Sequence, residues 1–308
     1  MSEIRFDGRV AIVTGAGTGL GRSHALGLAA RGARVVVNDM GVATDGAGRS
    51  SAAAEAVAQE IIDAGGDAIA HGADVTSTND VADMVQTTMD RWGRVDICVN
   101  NAGILRDKTF SKMTLEDFRK VVEVHLMGTV TVTHAVWPIM RAQKFGRVAL
   151  TTSASGLYGN FGQSNYGAAK AAMMGLMNVL HLEGARDDIR VNTLAPTAAT
   201  RMTESLLPEV ALDLLKPETI TPGLLYLVSD DAPSRVILGA GAGSFAVTKV
   251  YETQGVAFAG EVTPEEVAAH WDKITDPTGQ ADMPDAFAQT RKYARSAAEA
   301  LGVDLNWG

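Results

Sequence analysis

A chain of 308 residues with 46% hydrophobic content is long enough to bury a large core, and α/β folds of this length commonly form one main domain. A formal charge of −9 and the absence of any lysine or arginine run exclude the basic footprint that nucleic-acid binding needs. No stretch approaches the ~18 continuous apolar residues of a membrane helix. Residues 1–8 lack the basic and apolar regions of a signal peptide, and the final Leu305-Asn306-Trp307-Gly308 is not the peroxisomal Ser-Lys-Leu address, so a cytoplasmic location is expected.

Apolar, β-branched runs at 9–14, 34–39, 68–73, 95–100, 146–152, 189–194 and 236–239 alternate with helix-length, alanine-rich segments. That rhythm is the pattern of βαβ units whose strands are buried on both faces. It predicts an α/β fold, a doubly wound, Rossmann-type parallel sheet of about seven strands. The single Cys98 lies inside the fourth run and is expected to be a buried structural thiol. Residues 40–51, rich in Gly, Ala and Asp, look like a loop insertion after the second strand.

Beyond residue 236 the rhythm changes. Residues 244–258 alternate in part around Thr253-Gln254-Gly255 and predict a hairpin. Thr263-Pro264-Glu265-Glu266 offers a cap, an N1 proline and first-turn acids for a helix reaching about Lys273, and a second helical pattern covers 284–301. Residues 1–235 are read as the core carrying the functional motifs. Residues 236–308 are read as the last core strand plus a C-terminal extension packed on that core.

The first motif, Thr14-Gly15-Ala16-Gly17-Thr18-Gly19-Leu20-Gly21, lies between a strand and a helical run, where a dinucleotide pyrophosphate meets helix N–H groups. Leu20 occupies the third-glycine position of the common G-x-G-x-x-G fingerprint, so the spacing is T-G-x-x-x-G-x-G instead. In this it resembles the short-chain dehydrogenase/reductase family. Asp39 closes the second strand about twenty residues on, placed to accept from adenosine ribose hydroxyls and to repel a 2′-phosphate. Neither Thr18 nor Met40 supplies a cation for NADP; Arg22 is the nearest alternative, and NAD is the expected cofactor. Asp74-Val75 matches the family's adenine-contacting position, with a plain turn cap as the other reading. Asn100-Asn101-Ala102-Gly103 resembles the family's N-N-A-G motif, which steadies the sheet and lines the cofactor cleft.

Tyr166 and Lys170 are four residues apart on a predicted helix, so their side chains share one face. A neighbouring ammonium favours the phenolate of a tyrosine whose ordinary pKa is about 10, and the positive nicotinamide adds to this. Ser153, thirteen residues before Tyr166 and just past the fifth strand, can hydrogen-bond a substrate oxygen. Ser-x12-Tyr-x3-Lys resembles the family's active-site motif at each position, which implies that Tyr166 is the acid/base and that Tyr166 and Lys170 also line the cofactor. His125 stands where most members carry asparagine; it either holds a water beside the lysine or fills space. Pro196 and Thr200 match the family's P-x-x-x-T, which places the threonine on the nicotinamide amide, a helix cap being the alternative. The remaining histidines show no metal-like pairing, and no metal is expected.

Longer stretches, including Asn101-Ala102-Gly103-Ile104-Leu105-Arg106-Asp107 and residues 153–163, resemble the (3R)-hydroxyacyl-CoA dehydrogenase units of peroxisomal multifunctional enzymes of the second type and their free-standing bacterial relatives. Those relatives also carry histidine at the position of His125. The resemblance implies NAD and a 3-hydroxyacyl-CoA substrate, with 17β-hydroxysteroids, an NADPH-dependent 3-oxoacyl reductase and a non-catalytic binding protein as the alternatives. Leu157, Phe161, Met202, Leu206 and Leu207 either line an acyl or steroid groove or belong to the core. The helix from Tyr166 to about Glu183 is apolar on more than one face, which points to a homodimer, or a homotetramer, paired through it.

Overall fold

The computed structural model describes residues 3–41, 50–198 and 209–305. It divides into two compact units, Met1–Val247 and Thr248–Gly308. The first runs β1 (Val10–Thr14), α1 (Gly19–Ala29), β2 (Arg34–Asn38), α2 (Ala52–Asp63), β3 (Asp67–His71), α3 (Thr78–Trp92), β4 (Ile97–Asn100), α4 (Leu115–Val122), a π turn (Glu123–Met127) and α5 (Gly128–Gln143). It continues with β5 (Gly146–Thr151), α6 (Ala154–Tyr158), α7 (Ser164–Gly184), β6 (Ile189–Thr197), α8 (Glu209–Leu214), α9 (Thr221–Leu227), β7 (Ile237–Gly241) and β8 (Ser244–Thr248).

The strands form one eight-stranded sheet in the order β3-β2-β1-β4-β5-β6-β7-β8, and β1 to β7 pair in parallel. Because successive strand side chains point to opposite faces, each strand feeds two cores. Ala11, Val13, Val35, Val37, Ile97 and Val99 pack on one side with α1, α2 and α9. Ile12, Val36, Cys98, Val148, Leu150 and Val191 pack on the other, with residues of α3, α5 and α7. Burial drives the Cys98 thiol up to about 12, as suits an inert core residue. The strand order reverses between β1 and β4, and in open α/β sheets ligands bind beyond the carboxyl ends of the strands at this switch point.

The opposite edge of the sheet is held by buried charge. Asp96, fully buried, accepts from the Val10 N–H and from Arg9 and Arg94. Arg147, 1% exposed, donates to the carbonyls of Gly146, Asp188, Ser229 and Asp230 and to the Asp188 carboxylate, with the Phe145 ring 4.1 Å from its guanidinium.

The predicted hairpin lies earlier than its sequence signal. β8 follows β7 after Ala242 and Gly243, both with positive φ (49° and 72°), the conformation that favours two-residue hairpin turns. Among the described residues, the Thr253-Gln254-Gly255 region forms no hairpin; beyond β8 there is one isolated antiparallel bridge, Glu252 to Ala281. The second unit carries α10 (Pro264–Ala269), α11 (Trp271–Ile274) and α12 (Ala286–Leu301). Thr263 and Glu266 form the reciprocal capping box at the start of α10. Lys292 of α12 donates to Glu252 at 2.7 Å, and Ala298 is the buried apolar side chain of this unit among the described residues.

Candidate active site

The carboxyl ends of β1 and β4 are stitched together around the glycine-rich turn. The Thr14 hydroxyl accepts the N–H groups of Asn101 (3.0 Å) and Ala102 (3.1 Å), and the Asn101 side-chain amide donates to the carbonyls of Thr14 and Gly15, both at 3.0 Å. Gly15 has φ +62°, and a β-carbon there would lie 2.8 Å from the Ala102 backbone. Thr18 stands at the N-cap position of α1 with no side-chain capping bond, and Gly19, Leu20 and Gly21 form the first turn, whose N–H groups have no intrahelical partner. Asp39, one residue past β2, accepts the Gly17 N–H at 2.8 Å and the Gly41 N–H at 2.7 Å. A β-carbon on Gly17 would sit 2.8 Å from that carboxylate, so the loop depends on glycine at this approach.

These residues fit a nicotinamide dinucleotide: the cradle admits close backbone approach, and each Asp39 oxygen keeps a lone pair for a ribose hydroxyl. Arg22, the nearest alternative cation, is engaged by both carboxylate oxygens of Glu60 at 2.8 and 2.6 Å. Asp74 accepts the N–H and hydroxyl of Thr76 through one oxygen, an Asx-type turn, while Val75 is buried beneath Gly128. Pro196 is half-buried near the end of β6. Thr200, Met202, Leu206 and Leu207 lie outside the described residues. Leu157 packs against the core, whereas Phe161 is 88% exposed.

Ser153, Tyr166 and Lys170 meet at the carboxyl end of β5. Ser153 caps α6 and accepts the Ser155 N–H at 3.2 Å, and its hydroxyl stands near enough to the Tyr166 phenol to favour the phenolate. One turn along α7, the buried Lys170 ammonium donates to the Thr151 carbonyl at 2.6 Å and lies 5.7 Å from the Tyr166 ring centre. The Thr152 hydroxyl donates back to the Lys170 carbonyl at 2.7 Å, fixing strand to helix.

The electrostatics differ from the simple sequence expectation of a lysine lowering a tyrosine. Burial holds Tyr166 above its ordinary value, with Ser153 opposing and the Asp107 carboxylate adding to the rise. Burial also brings Lys170 down to about 7. Desolvation penalises both charged forms, and it outweighs the proximity that the four-residue spacing supplies.

His125 sits in the π turn, an extra-residue bulge of a kind frequent at functional sites. Its ring is 3% exposed and meets Tyr166 edge-on, centroids 5.1 Å apart at 85°. Nε2 lies 2.7 Å from the Ile104 carbonyl and 3.1 Å from the Ile104 nitrogen. One ring nitrogen donates or accepts but not both, and the shorter distance assigns Nε2–H to the carbonyl. Nδ1 is then a bare acceptor, buried without a partner among the described residues. Burial, with the nearby Lys170 charge, brings this imidazole down to about 3, so it is neutral. Gly103 makes room for it, since a β-carbon there would lie 2.2 Å from Cε1. Sequence reasoning did not single out Asn165, fully buried one residue before Tyr166, whose amide donates to the Arg106 carbonyl and whose oxygen accepts the Tyr166 N–H. A polar residue inside the motif was the available signal.

A doubly wound sheet with a dinucleotide cradle at its switch point and a serine-tyrosine pair beyond β5 defines a nicotinamide-dependent oxidoreductase acting on CH–OH groups. The chain belongs to the short chain dehydrogenase family, whose model matches residues 9–211. It is 47% identical to a short-chain type dehydrogenase/reductase of Mycobacterium tuberculosis over 88% of this chain and 95% of that one. It resembles the structure of full-length peroxisomal multifunctional enzyme type 2 from Drosophila melanogaster (TM-score 0.80, 36% identity), covering 97% of this chain and 50% of that one. A 7α-hydroxysteroid dehydrogenase complexed with NADH and 7-oxo glycochenodeoxycholic acid also matches (TM-score 0.70, 31% identity; 78% of this chain, 95% of that one). No helix among the described residues is long and apolar enough to cross a membrane.

Proposed function

We propose that this chain oxidises a (3R)-3-hydroxyacyl-CoA to the 3-oxo thioester with NAD, with Tyr166 as the acid/base. The observation that carries the reading is the meeting of Ser153, Tyr166 and Lys170 at the carboxyl end of β5, with the Lys170 ammonium held on the Thr151 carbonyl 5.7 Å from the Tyr166 ring centre. The acyl-CoA substrate rests on the likeness to the multifunctional enzyme, of which this chain spans half. NAD rather than NADP rests on the Asp39 carboxylate at Gly17 and on the engagement of Arg22 by Glu60.

When bound, the nicotinamide supplies the hydride chemistry. The chain's residues handle the proton. Ser153 donates to the substrate oxygen and keeps it beside Tyr166, whose phenolate takes the hydroxyl proton in oxidation and whose phenol returns it in reduction. Lys170, at about 7, exchanges protons at neutral pH and holds its place on Thr151. His125, neutral, packs Tyr166 from the side and presents Nδ1 as a proton acceptor within the buried cluster. Asn101 holds the cofactor turn open through Thr14 and Gly15.

Along α7, Ala168, Gly175, Val179 and Leu182 form an exposed stripe of small and apolar side chains, with Val179 53% and Leu182 51% exposed. This supports a homodimer, or a homotetramer, paired through α7; a monomeric mass at micromolar protein counts against it. The activity is tested with (3R)- and (3S)-3-hydroxybutanoyl-CoA, longer acyl chains and a 17β-hydroxysteroid as rival. The Tyr166→Phe variant is expected to fold and bind NAD while losing turnover. Retained turnover removes Tyr166 from the mechanism, and failure of every acyl-CoA removes the substrate assignment.

A further inference from the structure

At the mouth of the site, a side-chain network not needed by the chemistry above runs into the catalytic serine. The exposed Asp107 carboxylate accepts from the Gln163 amide at 2.6 Å. The Gln163 oxygen accepts from the Ser155 hydroxyl at 2.7 Å and from the Asn160 amide at 3.1 Å. Ser155 in turn donates its N–H to the Ser153 hydroxyl at 3.2 Å, and Ser153 neighbours the Tyr166 phenol. Each link has one consistent polarity, because a carboxylate only accepts and so orients the Gln163 amide with its nitrogen outward. The loop around Gln163 is also tied to that of Asp107 by its backbone, Lys108 N–H to the Gly162 carbonyl at 2.9 Å.

We propose that Asp107 and Gln163 are positioning residues of the reaction: Asp107 orients the Gln163 amide, Gln163 fixes Ser153 through Ser155, and the Asp107 charge is felt at the Tyr166 end of that chain. This rests on Tyr166 being the acid/base. The other ionisable groups do not duplicate the role. Lys170 shares the helix with Tyr166, and His125, on the π turn, is neutral. α4 carries Glu116, Asp117, Arg119 and Lys120, and Asp117 is paired with Arg106 and Lys108. Tyr158 stands on α6, and Glu123 is exposed on the π turn. Arg147 and Arg190 lie at the amino-terminal ends of β5 and β6, away from Ser153. Asp107 is the negative group that acts on Tyr166.

The test is the pH profile of kcat/KM for oxidation of (3R)-3-hydroxybutanoyl-CoA by NAD at low salt. Oxidation needs the phenolate, so activity lies above the inflection. Asp107→Asn keeps an acceptor for Gln163 but removes the charge, and the inflection is expected to move down by about 0.3 to 1 pH unit. The charge is exposed, so the gap between the enzymes should close near 1 M salt, with the wild-type inflection itself moving down. Gln163→Ala, and independently Ser155→Ala, should lower kcat about 3- to 30-fold with the KM for NAD unchanged and the inflection at its wild-type pH. An Asp107→Asn profile that coincides with wild type at low salt, a shift that survives 1 M salt, or wild-type kcat in both chain-breaking variants overturns the proposal. An active Tyr166→Phe enzyme overturns instead the reading on which it rests.

Discussion

Replacing Gly103 with alanine measures how tightly His125 is seated. The added methyl would lie 2.2 Å from Cε1, 2.8 Å from Nδ1 and 3.0 Å from Nε2 of the ring. Carbon atoms in contact settle near ~3.5–4.0 Å, so the imidazole has to retreat by more than ~1 Å. It has little freedom to do so, because Nε2 is held by Ile104 and the Tyr166 ring stands 5.1 Å away. Overpacking of this kind costs about 1–3 kcal/mol, which corresponds to a fall in Tm of roughly 2–10 °C for a domain of this size. A retreat toward Tyr166 displaces the phenol, and a misplacement of ~1 Å costs about 100-fold in rate. The assay pairs steady-state oxidation of (3R)-3-hydroxybutanoyl-CoA with thermal melts. Adding His125→Ala to Gly103→Ala removes the obstructing ring and should return at least half of the lost Tm. A Gly103→Ala enzyme with wild-type kcat and Tm would refute the packing argument.

Three further outcomes follow from the same geometry. Lys170 titrates at about 7 in the fold against an ordinary lysine value of 10.5, so the unfolded chain binds more protons between those values and this group's contribution to stability rises with pH across that window. Lys170→Met removes that slope: its Tm minus that of wild type should be highest near pH 6 and decline toward pH ~9.5, and a difference that stays flat or rises with pH contradicts the buried-amine assignment. Asn101→Asp would set a carboxylate against the carbonyls of Thr14 and Gly15, at a cost of about 1–3 kcal/mol, so fluorescence titration should show NAD binding weakened ~10-fold or more. Asp39→Asn removes the charge beside Gly17 and should raise the ratio of kcat/KM with NADP to that with NAD by ~10-fold or more; an unchanged ratio means that Asp39 does not set the preference.

Much of this architecture could be read in the residues because it is local. β1 and β2 are continuous apolar runs, buried at all five and at four of five positions respectively, and their ends place the glycine turn and Asp39 side by side through the Thr14–Asn38 register. The Tyr166–Lys170 interval and the Thr263–Glu266 capping box are likewise spacings within one helix. What escaped depends on tertiary placement. β8 is an exposed edge strand, so its alternation carries no core signal, and the Thr253-Gln254-Gly255 turn signal drew the hairpin about ten residues too far along. The π turn leaves no compositional mark. The pairing of Asp107 with Gln163 spans 56 positions. The charge states of Tyr166 and Lys170 follow from burial, which no spacing encodes.

The π turn also works as a phase shifter. α4, the turn and α5 form one uninterrupted helical path, Leu115 to Gln143, and each α-helical residue advances about 100° around the axis. One surplus residue therefore rotates everything after it by a comparable angle, letting Val121 and the later Val132, Val136 and Met140 stripe each find the core from a path that would otherwise be out of step. His125 lies at the slip itself. Substitutions across Glu123–Met127 leave that offset intact, whereas deleting a single codon would cancel it, turn the imidazole away from Tyr166 and carry α5 with it. The segment is thus more constrained in length than in composition.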